Sequence, residues 1–145
     1  MNKYILITAF TFFSALVASK NSLALEQVST PSFLDKQGSV IKNSITSVED
    51  IMLGGLKQRI VIRGKDSSKP VLLMLHGGPG GPLTPFINLF HTPELEENFV
   101  VVHWDQRGAG ASYSKTLTED DMKLESFVED TRELSEKLIQ RFKQP

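Results

Sequence analysis

Two short apolar runs, each ending in a glycine-rich turn, restrict this chain to few architectures. Residues 71–75 (Val-Leu-Leu-Met-Leu) lead straight into His76-Gly77-Gly78-Pro79-Gly80-Gly81-Pro82, and residues 99–104 (Phe-Val-Val-Val-His-Trp) into Asp105-Gln106-Arg107-Gly108-Ala109-Gly110. A continuous apolar run bounded by turn residues predicts a strand buried on both faces, as in a parallel sheet. The glycine-rich stretches cannot continue a helix or strand, so both are loops at strand ends. Open α/β sheets place their ligands at such ends.

The rest of the chain fits around these two units. Residues 57–63 alternate and are rich in β-branched side chains, which predicts a strand with one wet face. Gly54-Gly55 marks a turn before it, and a further strand is expected around residues 39–48. Residues 64–69 are a polar turn. Residues 85–90 and 92–98 predict short helical pieces, with Thr92-Pro93 as N-cap and first-turn pair. The acidic run Glu94-Leu95-Glu96-Glu97 reads as a solvated helix face. Phe127, Thr131, Leu134, Leu138 and Phe142 recur at helical spacing, predicting an amphipathic helix over residues 125–142. Leading antiparallel strands followed by strand–loop–helix alternation predict an α/β fold with a mostly parallel sheet. Lys143-Gln144-Pro145 stand where the next parallel strand is expected, so the domain is expected to be truncated there.

Charge and cysteine content exclude several function classes. The 145 residues include 16 basic and 17 acidic side chains, a net charge of −1 that fits one globular domain. That balance supplies no electrostatic footprint for nucleic acid or an anionic membrane. Without cysteine there are no disulfides, cysteine metal sites or thiol nucleophile. Met1-Asn2-Lys3, the uncharged apolar stretch 4–18 and small residues Ser22 and Ala24 form the three-part layout of a secretory signal. A spanning helix needs roughly 20 consecutive apolar residues, more than this run has. The expected organisation is a signal peptide over 1–24, an irregular lead-in over 25–40 and the folded domain over 41–145. The protein is then exported, periplasmic or secreted; an uncleaved anchor is the alternative. No cysteine follows the apolar run, so a lipoprotein is excluded.

The first loop is the candidate for chemistry. Gly77 and Gly78 let backbone N–H groups approach a ligand closely, and Pro79 stiffens the turn. An oxyanion hole requires a rigid loop of that kind with free donors. A tight turn without catalytic role satisfies the same residues. Phosphate binding fails on both loops: no Gly-Lys-Ser/Thr follows Gly81, and Tyr113 breaks the dinucleotide fingerprint after Gly108-Ala109-Gly110. Histidines 76, 91 and 103 and the acidic residues show no metal-ligand spacing.

Taken together, His76-Gly77-Gly78-Pro79-Gly80 and Trp104-Asp105-Gln106-Arg107-Gly108-Ala109-Gly110-Ala111-Ser112 resemble the prolyl aminopeptidase (proline iminopeptidase) group of α/β-hydrolases, from about Ile41 onward. The resemblance implies a serine hydrolase without cofactor or metal, acting on a peptide or small acyl substrate. It implies that the Gly78 N–H is half of the oxyanion hole, shaped by Gly77, Pro79 and Gly80. His76 would support that loop without being the triad base. Asp105, Arg107, Gly108 and Gly110 would hold the second loop, and Trp104 would be core. In this fold the nucleophile sits in Gly-x-Ser-x-Gly, followed by an acid and then a histidine. No such motif occurs here; Ser112 has Gly110 before it but Ser114 after it. The triad is therefore expected beyond Pro145, and this chain alone is expected to be inactive. An esterase or lactonase of the same superfamily is the alternative enzyme. A non-catalytic exported fragment, a pseudogene product or half of a split protein, is the alternative of another class. No nucleic-acid partner and no membrane span after signal cleavage are expected, and substrate and oligomeric state stay open.

Overall fold

The computed structural model describes residues 29–77, 80–82, 84–87 and 93–144; the expected signal peptide, Gly78, Pro79, His91 and Thr92 lie outside them. The elements are β1 (Ile45–Leu53), β2 (Leu56–Gly64), β3 (Val71–Met74), α1 (Pro93–Asn98), β4 (Val100–Asp105) and α2 (Leu124–Phe142). Short 3₁₀ turns occupy Thr84–Phe86, Gly110–Ser112 and Asp120–Met122.

β1 and β2 form a hairpin because Gly54 and Gly55 both adopt positive φ, +53° and +76°, which a two-residue turn between twisted strands requires. That turn sets the register from Leu53↔Leu56 to Ile45↔Gly64. It corrects the expectation of a strand over 39–48: β1 lies further along, and upstream residues form only an isolated bridge, Leu34↔Val40. The sheet order is β1-β2-β4-β3. β2 pairs antiparallel with both neighbours, while β3 and β4 run parallel. Within the described residues the sheet is therefore mixed rather than mostly parallel, since a hairpin delivers β2.

α2 covers one face. Leu134 and Leu138 pack on Ile60, Ile62, Val100, Val102 and Trp104, with Leu53 closing the end near the hairpin turn. Fully burying side chains of this size stabilises by about 1.5–3 kcal/mol each. The helix matches the apolar spacing of residues 125–142 to within one residue.

The other face corrects three expectations. β2 has no wet face along its second half, because Val61 and Arg63 are buried there. The residues that cover them are polar partners as much as apolar ones. Arg63 pairs with Glu96 of α1 at 2.6 Å, donates to the Pro31 carbonyl, and lies 4.6 Å from the Phe33 ring centre. Glu96 is therefore buried, unlike the solvated acidic face expected of that run. β3 is half-buried throughout rather than closed on both faces, since it ends the sheet order and Leu75 just beyond it is 54% exposed. No helix among the described residues is long and apolar enough to cross a membrane.

Candidate functional site: two loops at one rim of the sheet

β3 and β4 run parallel with Met74 opposite His103, so the chain leaves both strands at the same rim. The second loop leaves β4 at Asp105, which is fully buried. Its carboxylate accepts from the Ala111 N–H at 3.0 Å, the Thr84 N–H at 3.3 Å and the Thr84 hydroxyl. Its carbonyl accepts from the Ser112 hydroxyl, whose oxygen in turn accepts from the Arg59 N–H at 2.7 Å. Ser112 is thus buried with donor and acceptor both engaged, a poor starting point for a nucleophile. Gly110 stands with φ +46°, and a Cβ there would lie 2.4 Å from Asp105 Oδ2 and 2.7 Å from Pro82 Cβ. The turn closes only because that side chain is absent.

Arg107 anchors the same loop to the sheet and to α2. Its Nε and Nη2 donate to the two oxygens of Asp130 at 2.7 Å each, and Nη1 donates to the Asp121 carbonyl at 2.6 Å. Asp130 also accepts from Gln58 Nε2 at 2.6 Å, and Gln58 Oε1 accepts from Trp104 Nε1 at 2.9 Å. A planar guanidinium meeting a carboxylate by two parallel bonds fixes direction as well as distance. The hairpin turn presses against this pair: a Cβ on Gly54 would fall 2.4 Å from both Arg107 Nη2 and Asp130 Oδ1. Glu133 completes the turn by accepting from the Gly54 N–H at 2.8 Å; that bond and Lys137 hold its carboxyl below the usual range. Gly108, at φ +76°, would bring a Cβ to 3.0 Å from Met122 Cε, a flexible neighbour.

The first loop is held by the second at both of its ends. At its start, the Gln106 N–H donates to His76 Nε2 at 3.1 Å, and Gln106 Nε2 donates to the His76 carbonyl at 2.9 Å. At its far side, Pro82 abuts Gly110 and Thr84 is bound by Asp105. Between these points Gly81 packs on the Gly77 carbonyl, where a Cβ would come within 3.2 Å. Gly77 and Gly80 are exposed, and Gly78 and Pro79 lie outside the described residues. A mostly apolar cleft of about 300 Å³ opens beside the loops, lined by Val48, Val61, Pro85, Ile87 and Ala111 among others. Among the described residues no group of three His, Cys, Asp or Glu side chains is placed to hold a metal ion.

The structure thus gathers His76, Gly77, Gly80, Asp105, Arg107, Gly108 and Gly110 at one rim, together with residues the sequence reading passed over: Gln106, Thr84, Asp130 and Gln58. Asp130 had a usable signal. It sits four residues before Leu134 on the apolar stripe of α2, where a lone carboxylate needs a buried partner. Gln106 had none, because its partner is the backbone of a loop thirty residues away.

No family model matches the chain. It is 42% identical over 101 residues to the probable aminopeptidase YbaC of Bacillus subtilis (strain 168), covering 70% of this chain and 31% of that protein. It also resembles the crystal structure of a proline iminopeptidase-related protein from Thermus thermophilus, with a TM-score of 0.56 and 30% identity, over 65% of this chain and 32% of that one. The chain spans about a third of the length of each. Together these similarities relate it to α/β-hydrolase-like peptidases.

Proposed function

We propose that this chain is the N-terminal part of an exported serine hydrolase, a prolyl aminopeptidase-like peptidase, and that it contributes the oxyanion-hole loop to that enzyme. The observation that carries the reading is the mounting of the glycine loop. It sits at the rim where β3 ends, held at both ends by a second loop that is itself pinned by buried charges. In this reading the Gly78 N–H receives the developing negative charge on a substrate carbonyl oxygen. Gly77, Pro79 and Gly80 shape its approach, and preorganised donors of this kind cost nothing to reorient during reaction. The nucleophile, acid and base come from residues outside these 145, because no Gly-x-Ser-x-Gly occurs here and Ser112 is spent in the second loop. The names of both relatives favour a peptidase over an esterase or lactonase. Residues 1–24 serve as the export signal in this reading, so the mature chain starts near Leu25.

An antibody against residues 113–124 recovers from the native host whatever polypeptide carries these loops. That polypeptide is expected to react with a fluorophosphonate probe, to release proline from a prolyl arylamide, and to start near Leu25 by N-terminal sequencing. Absence of labelling and turnover would reject the hydrolase. The 145-residue chain alone is expected to show neither. Turnover by that chain, lost on mutating one of its own residues, would refute the assignment of the triad elsewhere.

A further inference from the structure

We infer that Gln106 is a positioning residue for the glycine loop, acting through the carbonyl of His76. The inference rests on the oxyanion reading above for its consequence, but not for its geometry. A backbone N–H is always a donor, so the His76 Nε2 that lies 3.1 Å from the Gln106 nitrogen carries a lone pair there. The imidazole is then neutral, with its proton on Nδ1, and Nδ1 has no hydrogen-bond partner among the described residues. Free histidine prefers the opposite tautomer, so this one is imposed by the second loop.

The second contact matters more for the site. Gln106 Nε2 donates to the His76 carbonyl at 2.9 Å, and that carbonyl belongs to the same rigid peptide plane as the Gly77 N–H. Gly77 has no side chain with which to hold that plane, and a Cβ there would meet no atom within 4 Å. Gln106 fixes the plane from a backbone that is itself locked between buried Asp105 and buried Arg107. The root of the loop that carries the proposed oxyanion donor is therefore held by Gln106.

The test uses the polypeptide from its native host, labelled with ¹⁵N, and the variants Gln106→Ala and Gln106→Glu. Ring-nitrogen spectra of the wild type are expected to show His76 protonated at Nδ1 alone. Gln106→Ala keeps the backbone bond, so the tautomer is expected to persist. Loss of the side-chain bond is expected to lower the ¹⁵N order parameter of the Gly77 amide to below about 0.6, with Val102 and Trp104 unchanged. Gln106→Glu keeps the shape but turns an oxygen toward the His76 carbonyl, and the same loosening is expected without dependence on a cavity. A proton on His76 Nε2, or an unaltered Gly77 order parameter in both variants, would overturn the inference. Fluorophosphonate labelling of the same samples separates the two readings. Loosened amides in a protein that never labels leave Gln106 as the loop's holder and reject the hydrolase; normal labelling with unaltered amides does the reverse.

Discussion

The two rim loops solve one problem, holding backbone in an irregular path, by opposite means. The second loop is fixed by its own side chains: Asp105, Arg107 and Ser112 are all buried and each makes at least two hydrogen bonds. The first is made of glycine and proline, and its described glycines meet open space at Gly77 and Gly80. It borrows its shape through four attachments: Gln106 to His76 twice, Pro82 against Gly110, and Thr84 on Asp105. A loop that presents bare amides has no side chains left with which to hold itself. The lesson is a division of labour, in which one loop is left exposed and its neighbour is buried and holds it.

Breaking the buried side should have the largest effect. Asp130→Ala leaves Arg107 buried without its counter-charge, and a loss of about 3–5 kcal/mol is expected. Urea titration followed by Trp104 fluorescence measures it directly, since Trp104 belongs to the same network through Gln58. A variant within about 1 kcal/mol of wild type would show that the pair is not the loop's anchor.

Glycine substitutions sharpen the contrast between the loops. Gly110→Ala forces a methyl group against Asp105 and Pro82 in a left-handed backbone, and a loss of about 1–3 kcal/mol from overpacking is expected on top of that strain. Gly80→Ala meets no atoms but must still adopt φ +76°, so only the strain of about 1 kcal/mol is expected. Gly77→Ala meets neither obstacle, and its stability should stay within about 0.5 kcal/mol of wild type. The ranking Gly110, Gly80, Gly77 in thermal melts is the check; a reversal would mean the first loop is the more tightly packed.

A small, pH-dependent effect belongs to a site remote from both loops. Arg141 lowers the Glu49 carboxyl below its ordinary value of 4.5 by two charge-assisted hydrogen bonds. A depressed carboxyl stabilises the fold above its unfolded value and loses that contribution as pH falls through the folded one. Glu49→Gln should therefore match wild type in strong acid and lag it near neutrality by under about 1 kcal/mol, given the exposure of the pair. A lag that grows below pH 4.5 would contradict the sign.

Much of the frame was legible in the sequence because its signals are local. The apolar run of β4, the Gly54-Gly55 turn and the stripe from Phe127 to Phe142 each announce themselves within a few residues. The errors came where an element's surroundings are built by distant chain. Arg63 and Glu96 look like solvated charges until residues 33 apart in sequence meet over β2. β3 reads as a closed inner strand from its composition, yet its place at the end of the sheet order leaves it half-open.

By itself, the sequence determined that two glycine-rich loops follow two apolar strands, and that one of them is built of glycine and proline. Only the tertiary structure decided that these loops touch, that Gln106 binds His76 while Pro82 meets Gly110 and Thr84 meets Asp105, and that Arg107 finds Asp130 on the helix. The reason is physical. Backbone conformation and burial pattern are encoded over a few neighbouring residues, whereas a hydrogen bond to a carbonyl is available to any donor that the packing brings near.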